Sequence, residues 1–264
     1  MSQCRDPLKV HRRDQQLQAW PIDYQVDLYG VQPWQERAVS TGLTYLQGLM
    51  YSHYDHALIS AFVERWHPET NSFHMPWGEM TVTLHDVLRI LALPIDGEPV
   101  YEDPSRGPPG HDKYAQAAHF FDMDYDRVKF EFQKGGFFYK TIVDMSRRKR
   151  WRGRHPEAAA SLYLYYLLGS TLFTDKSVDQ VPYRYLYYVY TVEDVGQYAW
   201  GTTALAFLYS KLGKATRREA AQLGGCMTLL QVFSFFSPVI GTSCCIWHIG
   251  IWHTMLYGHR QVLT

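Results

Sequence analysis

With 264 residues, 46% hydrophobic and 20% charged, the chain carries enough apolar material for a folded core and is not a disordered sequence. Its 26 basic and 26 acidic residues cancel, so no global field draws it to nucleic acid or membrane, and such binding has to come from a local patch. Four cysteines (Cys4, Cys226, Cys244, Cys245) are too few for a disulfide framework and point to a reducing compartment.

Residues 1–35 are polar and punctuated by Pro7, Pro21, Gly30 and Pro33, which predicts an extended arm. The opening MSQCRDPLKVHRRDQQ lacks an apolar h-region, so no secretory signal is expected. From Glu36 to Trp66 the pattern turns helical, with a break expected near Gly48. Leu58, Ile59, Phe62, Val63 and Trp66 form an apolar stripe that His67-Pro68 should end.

The stretch FHMPWGEMTVTLHDVLRILALPIDGEPV is dense in local signals. Phe73 and Met75, then Met80, Val82 and Leu84, alternate with polar residues, which predicts a hairpin over about 72–83. PWG suits a three-residue loop with a bulge at Gly78, which would set His74 beside Met80. A two-residue Trp77-Gly78 turn, pairing Met75 with Met80 and Phe73 with Val82, is favoured because it keeps both apolar sets on one face. Thr83 and Asp86 have capping-box spacing, and Leu84, Val87, Leu88 and Leu91 predict a core-facing helical stripe. Pro94 stops that helix, and Asp96-Gly97 is the turn.

Residues 101–112 (YEDPSRGPPGHD) form a Pro/Gly loop and the best internal boundary. A short aromatic helix near 113–121, a mixed segment to Asp144 and a basic loop at 147–155 follow. A helix is predicted from Pro156 to Phe173, with proline in its first turn. Thr191 and Asp194 repeat the capping-box spacing. Val195, Tyr198, Ala199, Thr202, Ala206, Tyr209 and Leu212 are expected to line one face of a helix ending at Gly213. A last helix over about 216–232 would carry Gly224-Gly225 where a neighbouring helix comes close. The expected fold is mainly α, a multi-helix single domain with one small β-hairpin.

Three blocks carry a family resemblance: ALISAFVERWHPETNSFHMPWGEMTVTLHDVLRILALPIDGEPV, LLGSTLFTDKS and VGQYAWGTTALAFLYSKLGKATRREAAQLGGCMTLLQ. In this order they resemble the plant mobile domain, often labelled aminotransferase-like, from about Gly42 to Gln231 with a weaker middle. The resemblance implies a mainly helical domain of transposable elements and of host proteins derived from them, the maintenance-of-meristems group among these. It further implies a nuclear protein acting in transposon silencing and meristem integrity. The implied partner is a protein-phosphatase-seven-like phosphatase or a chromatin factor. The family has no assigned catalytic residues, so none is carried over. Residues 232–264 (VFSFFSPVIGTSCCIWHIGIWHTMLYGHRQVLT) depart from the family pattern as an atypical apolar tail, whether translated intron, truncation or genuine variation.

Candidate sites are few. Arg65, Trp77 and Glu79 are the candidate partner-binding residues, because a Trp-Gly turn with flanking charge can anchor a partner if the indole does not fold back onto the core. Arg147, Arg148, Lys149, Arg150, Arg152 and Arg154 put six cations in eight residues around Trp151. That run reads as a localisation signal, as a nucleic-acid contact in which Trp151 stacks on a base, or as a solvated loop. Cys244, Cys245, His248 and His253 are soft ligands, but adjacent cysteines suit a single tetrahedral site poorly, and His53 with His56 lacks a third ligand; no metal is expected. No glycine-rich phosphate loop serves any lysine as a pyridoxal site would require, so no cofactor and no enzymatic activity are expected. Val232 to Leu256 is long enough to span a bilayer but is interrupted by Pro238, His248 and His253, so no membrane span is expected.

Overall fold

A computed structural model describes residues 8, 33–49, 54–100, 112–175, 179–217 and 219–236. The Pro/Gly loop at 101–111, most of the N-terminal arm and the tail beyond 236 lie outside these residues. Helix α1 (Pro33–Ser40) starts at its proline, earlier than the expected Glu36, because the ring's fixed φ suits a first turn. A 3-10 turn (Thr44–Leu49) spans the expected break at Gly48. Helix α2 (His56–Val63) is capped by Asp55, whose side chain accepts from the Leu58 amide. It ends three residues sooner than expected, since Trp66 and His67 are not helical but form strand β1.

β1 is the first of three antiparallel strands, with β2 (Ser72–Met75) and β3 (Gly78–Met80). The register is Trp66↔Phe73 and His67↔Ser72, then Phe73↔Met80, His74↔Glu79 and Met75↔Gly78. The turn is therefore Pro76-Trp77, not Trp77-Gly78, and Phe73 faces Met80 rather than Val82. A slip of two residues preserves which side chains share a face, so the apolar alternation cannot distinguish the two registers. Turn chemistry does: proline falls at the second position and Gly78, at φ 136°, at the fourth, as a type I turn prefers.

Helix α3 (Leu84–Leu91) has the expected capping box, with the Asp86 amide donating to Thr83 Oγ1 and the Thr83 amide to Asp86 Oδ2. Only half of its apolar stripe is core. Val87 and Leu91 are buried, whereas Leu84 and Leu88 are exposed. Leu88 sits about 100° around the helix from Val87, and the neighbouring helices cover only the Val87 side. After the left-handed Ala92 and Pro94, the chain turns at Gly97 and bridges to Tyr198.

The middle resolves into α4 (Lys113–Phe121), α5 (Tyr125–Gln133), strand β4 (Gly136–Phe138), α6 (Tyr139–Ser146) and α7 (Lys149–Arg154). The basic loop expected at 147–155 is thus mostly helix. Helix α8 (Pro156–Thr171) follows with proline at its start, and every residue from Ala158 to Thr171 is buried. A helix with no polar face must be surrounded. Packed around it are α1, α6, α7, strand β5 (Gln180–Pro182), α9 (Arg184–Tyr187) and the 3-10 turns.

β4 and β5 pair antiparallel in a second sheet that the sequence did not announce. Its strands are three residues each and lack a full alternation. Gly136 is required there: a Cβ would lie 1.8 Å from the Val181 carbonyl oxygen.

A second 3-10 turn (Val192–Gln197) replaces the predicted helix start, and Thr191 makes no side-chain cap. The Glu98 amide donates to Gln197 O (2.8 Å) and the Ala199 amide to Glu98 O (2.9 Å), so the chain is held extended before helix α10 (Trp200–Ala215) begins. That restart changes the helical phase. Thr202 and Ala206, predicted inward, are exposed, while Gly201, Ala204, Leu205, Phe207 and Leu208 join Leu212 in the core. The last helix, α11 (Met227–Phe236), starts after Gly224-Gly225 rather than containing them. The expected helix does come close: a Cβ on Gly225 would lie 3.3 Å from Leu208 Cα of α10. A loop joins them on the other side, where the Gly225 amide donates to Thr174 O (2.8 Å) and Thr174 Oγ1 to Gly225 O (2.6 Å). α11 packs on α2 and α3 and carries the fold past Gln231. Among the described residues no helix is long and apolar enough to cross a membrane.

Two stability outcomes follow. Gly136→Ala should cost on the order of 3 kcal/mol in urea unfolding, because the methyl meets backbone rather than a movable side chain. Thr83→Ala should cost about 1 kcal/mol by the same measurement, the worth of one N-cap.

Candidate functional site

Strand alternation sorts the three-stranded sheet into two faces. Trp66, Phe73, Met75 and Met80 share the inner one. Phe73 meets Trp66 edge-on at 4.8 Å and Phe62 at 5.3 Å, and Trp66 packs on Tyr209 of α10. Tyr209 also fixes the strand exit, its hydroxyl lying 2.8 Å from Thr81 Oγ1 and donating to Val82 O. Thr81 Oγ1 donates to Asn71 O, closing the other end of β2. The hairpin is therefore stapled to the helical core along one side.

The outer face is polar and self-satisfied. Ser72 Oγ donates to Glu79 Oε2 (2.9 Å) and lies 2.7 Å from Thr70 Oγ1. His74 Nε2 lies 3.4 Å from Glu79 Oε1, and the His74 ring stacks on His67 at 3.6 Å. Serine, histidine and glutamate thus meet, but in the wrong order for nucleophilic catalysis. A base must take the nucleophile's proton, whereas Ser72 is bonded to the carboxylate and is itself buried. The sequence showed the parts, since Ser72 and His74 alternate in SFHMPWGEM and Glu79 follows five residues on; only the register joined them.

The three partner-binding candidates have different fates. Trp77, at the turn, is 52% exposed, so it does not fold onto the core. Glu79 is held by Ser72 and His74. Arg65 receives the His74 amide on its own carbonyl, and its Nη1 donates to Ala61 O (2.8 Å), capping the end of α2. What remains unengaged at the tip is an indole beside a fixed polar ladder. Leu84 and Leu88 are further exposed apolar side chains, on α3. Glu64 and Glu69 are exposed.

The basic run divides by burial. Trp151 is 4% exposed and packed beside His155, so it cannot stack on a base as the sequence suggested. Arg152 is half-buried, with its guanidinium over the Trp34 ring at 5.7 Å, and burial lowers its pKa. Arg147 lies 3.8 Å from Asp144. Arg148, Arg150 and Arg154 are exposed; of Lys149 only the backbone is described.

Other reactive groups serve the fold. Glu131 is the only buried carboxylate among the described residues, and it is satisfied by Thr141 Oγ1 (2.7 Å), the Phe138 amide (3.1 Å) and Arg127 Nε (3.5 Å). The Lys211 ammonium is paired with Asp175 and lies over Phe207. His56 Nδ1 lies 3.0 Å from Leu8 O, tying down a point of the N-terminal arm. Among the described residues no group of three His, Cys, Asp or Glu is placed to hold a metal; His53 and Cys244, Cys245, His248 and His253 lie outside them. Cys226 is fully buried, and desolvation pushes its thiol up to about 11.

The family model of the plant mobile domain matches residues 43–240. The chain is 37% identical over 196 residues to Protein MAINTENANCE OF MERISTEMS of Arabidopsis thaliana, covering 69% of this chain and 37% of that one. It is 35% identical over 248 residues to Protein MAIN-LIKE 2 of the same plant, covering 90% and 34%. It is 29% identical over 224 residues to a serine/threonine-protein phosphatase 7 long form homolog, again of Arabidopsis thaliana, covering 83% and 15%. The chain therefore spans about a third of the first two relatives and far less of the phosphatase. No solved structure matches it.

Since a thiol acts through its thiolate, Cys226 should resist iodoacetamide at pH 8 in the folded chain and react once urea unfolds it, as read by peptide mass spectrometry.

Proposed function

The chain belongs to the plant mobile domain family, and on that premise we propose that it is a non-enzymatic nuclear interaction domain that recruits a partner protein in transposon silencing and meristem maintenance. The observation that carries this reading is Trp77. An indole half open to solvent, at the tip of a hairpin stapled to the core by Tyr209, is a pre-ordered anchor that loses little freedom on binding. The polar residues around it are bonded to one another, so they frame the tip rather than act on a substrate. Lys211, held by Asp175 against Phe207, is a structural ion pair and not the poised amine that an aminotransferase needs.

Two relatives support the setting. One is named for the maintenance of meristems, and another is named as a phosphatase in which the matched segment forms a minor part. A related domain inside a phosphatase chain favours a protein-phosphatase-seven-like partner over a chromatin factor. The nuclear setting rests on the family resemblance.

The test is a titration of the full chain against a purified protein-phosphatase-seven-like phosphatase. Trp77→Ala should weaken binding at least tenfold, about 1.4 kcal/mol, with the melting temperature unchanged because the side chain touches no core. Equal affinity for both proteins would remove Trp77 as the anchor. No binding by the unaltered chain would remove the phosphatase as partner.

A further inference from the structure

We propose that the outward, unpaired arginines of α7 and of the junction before it, Arg148, Arg150 and Arg154, form a ridge that binds the phosphodiester backbone of nucleic acid. This is independent of the hairpin tip and of any protein partner.

The ridge is defined by what the fold removes from the basic run. Trp151 turns inward as the buried anchor of α7, which packs between α1 and α8. Arg152 turns sideways onto Trp34. The remaining guanidinium groups face water. Carboxylates near the ridge are few and already engaged: Asp144 lies against Arg147, and Glu157 Oε1 lies 3.2 Å from Arg37. Among the described residues no carboxylate comes within 4.0 Å of Arg148, Arg150 or Arg154. In a chain of zero net charge, three cations left unpaired on one short segment are a local exception.

Shape selects among anionic partners. Arg150 and Arg154 are one helical turn apart, about 6 Å, close to the roughly 6.8 Å axial rise of two phosphate steps on one strand. Arg150 and Arg154 stand a turn apart along one helix, with Arg148 at its N-terminal end, a linear spacing that fits a repeating backbone better than a single phosphorylated side chain. α7 exposes no apolar side chain to enter a bilayer. Read as an extended import signal, the run would have to unwind α7 and expose Trp151. Because phosphate contacts carry no base information, the binding should be indifferent to sequence.

The experiment is fluorescence anisotropy of the full chain with a labelled random-sequence DNA duplex. With three phosphates neutralised, log K against log salt should slope at about −2.7, so affinity should fall roughly 40-fold between about 50 and 200 mM salt. The triple variant Arg148→Gln, Arg150→Gln, Arg154→Gln should lose that binding and its salt slope while melting like the unaltered chain. A control removing as much charge elsewhere, Arg89→Gln, Lys134→Gln, Lys140→Gln, should retain both. No duplex binding at the lower salt, or equal loss in the triple variant and the control, would overturn the proposal.

Discussion

Everything in this domain is arranged around a helix that has no outside. From Ala158 to Thr171, α8 offers no residue to solvent, so its stability depends on neighbours covering its full circumference. That need sets the positions of α1, α6, α7, α9 and the second small sheet. It also imposes a polar condition, because the tyrosines of PEAAASLYLYYLL bring hydroxyls into the core and buried hydroxyls need partners. Tyr163 donates to Gln47 Oε1 in the first 3-10 turn, and Tyr165 donates to the Val181 carbonyl of β5. Tyr139 of α6 returns a bond to Gly169 O. Burial pushes the Tyr165 phenol well above its usual pKa, so it stays a neutral donor. Each of these bonds fixes a neighbour's height along α8, which apolar contact alone would leave free to slide.

The hairpin is attached to this frame at second hand. α10 carries Phe207 toward Phe173, at the end of α8, and Tyr209 toward Trp66 and Val82. One helix therefore connects the central core to the inner face of the three-stranded sheet. Among the described residues the outer face is tied to itself, through Thr70, Ser72, His74 and Glu79. A tip held this way is rigid without being buried, which is the condition for showing an indole to a partner at low entropic cost.

The basic helix is governed by the same central constraint from the opposite direction. α7 exists as a helix because Trp151 fills space beside α8 and α1, and once it is anchored the remaining arginines have nowhere to go but outward. The two proposed binding features, one aromatic and one cationic, thus lie on different elements with different attachments. A substitution at either should leave the other intact, since the sites share no side-chain partner.

Local chemistry was legible in the sequence wherever a few adjacent residues decide it. The Thr83-Asp86 capping box, the proline start of α8, the stop at Pro94 and the helix at 113–121 all depend on contacts within four residues. The family blocks were legible too, because the plant mobile domain's signature is dense between Arg65 and Gly97. Sequence alone did not fix the phase of α10, the exposure of Leu84 and Leu88, or the sheet between Gly136–Phe138 and Gln180–Pro182. Each of these is settled by a partner far away in the chain. Glu98 holds Gln197 and Ala199 and restarts α10; α10 and α11 choose which side of α3 is covered; Val181 finds Gly136. The basic run shows the division most plainly. Its charge was visible as six cations in eight residues, but which of them meet solvent was decided by the burial of Trp151 and the stacking of Arg152 on Trp34. Periodicity records that a face is apolar, and only the packed neighbour determines whether that face is inside.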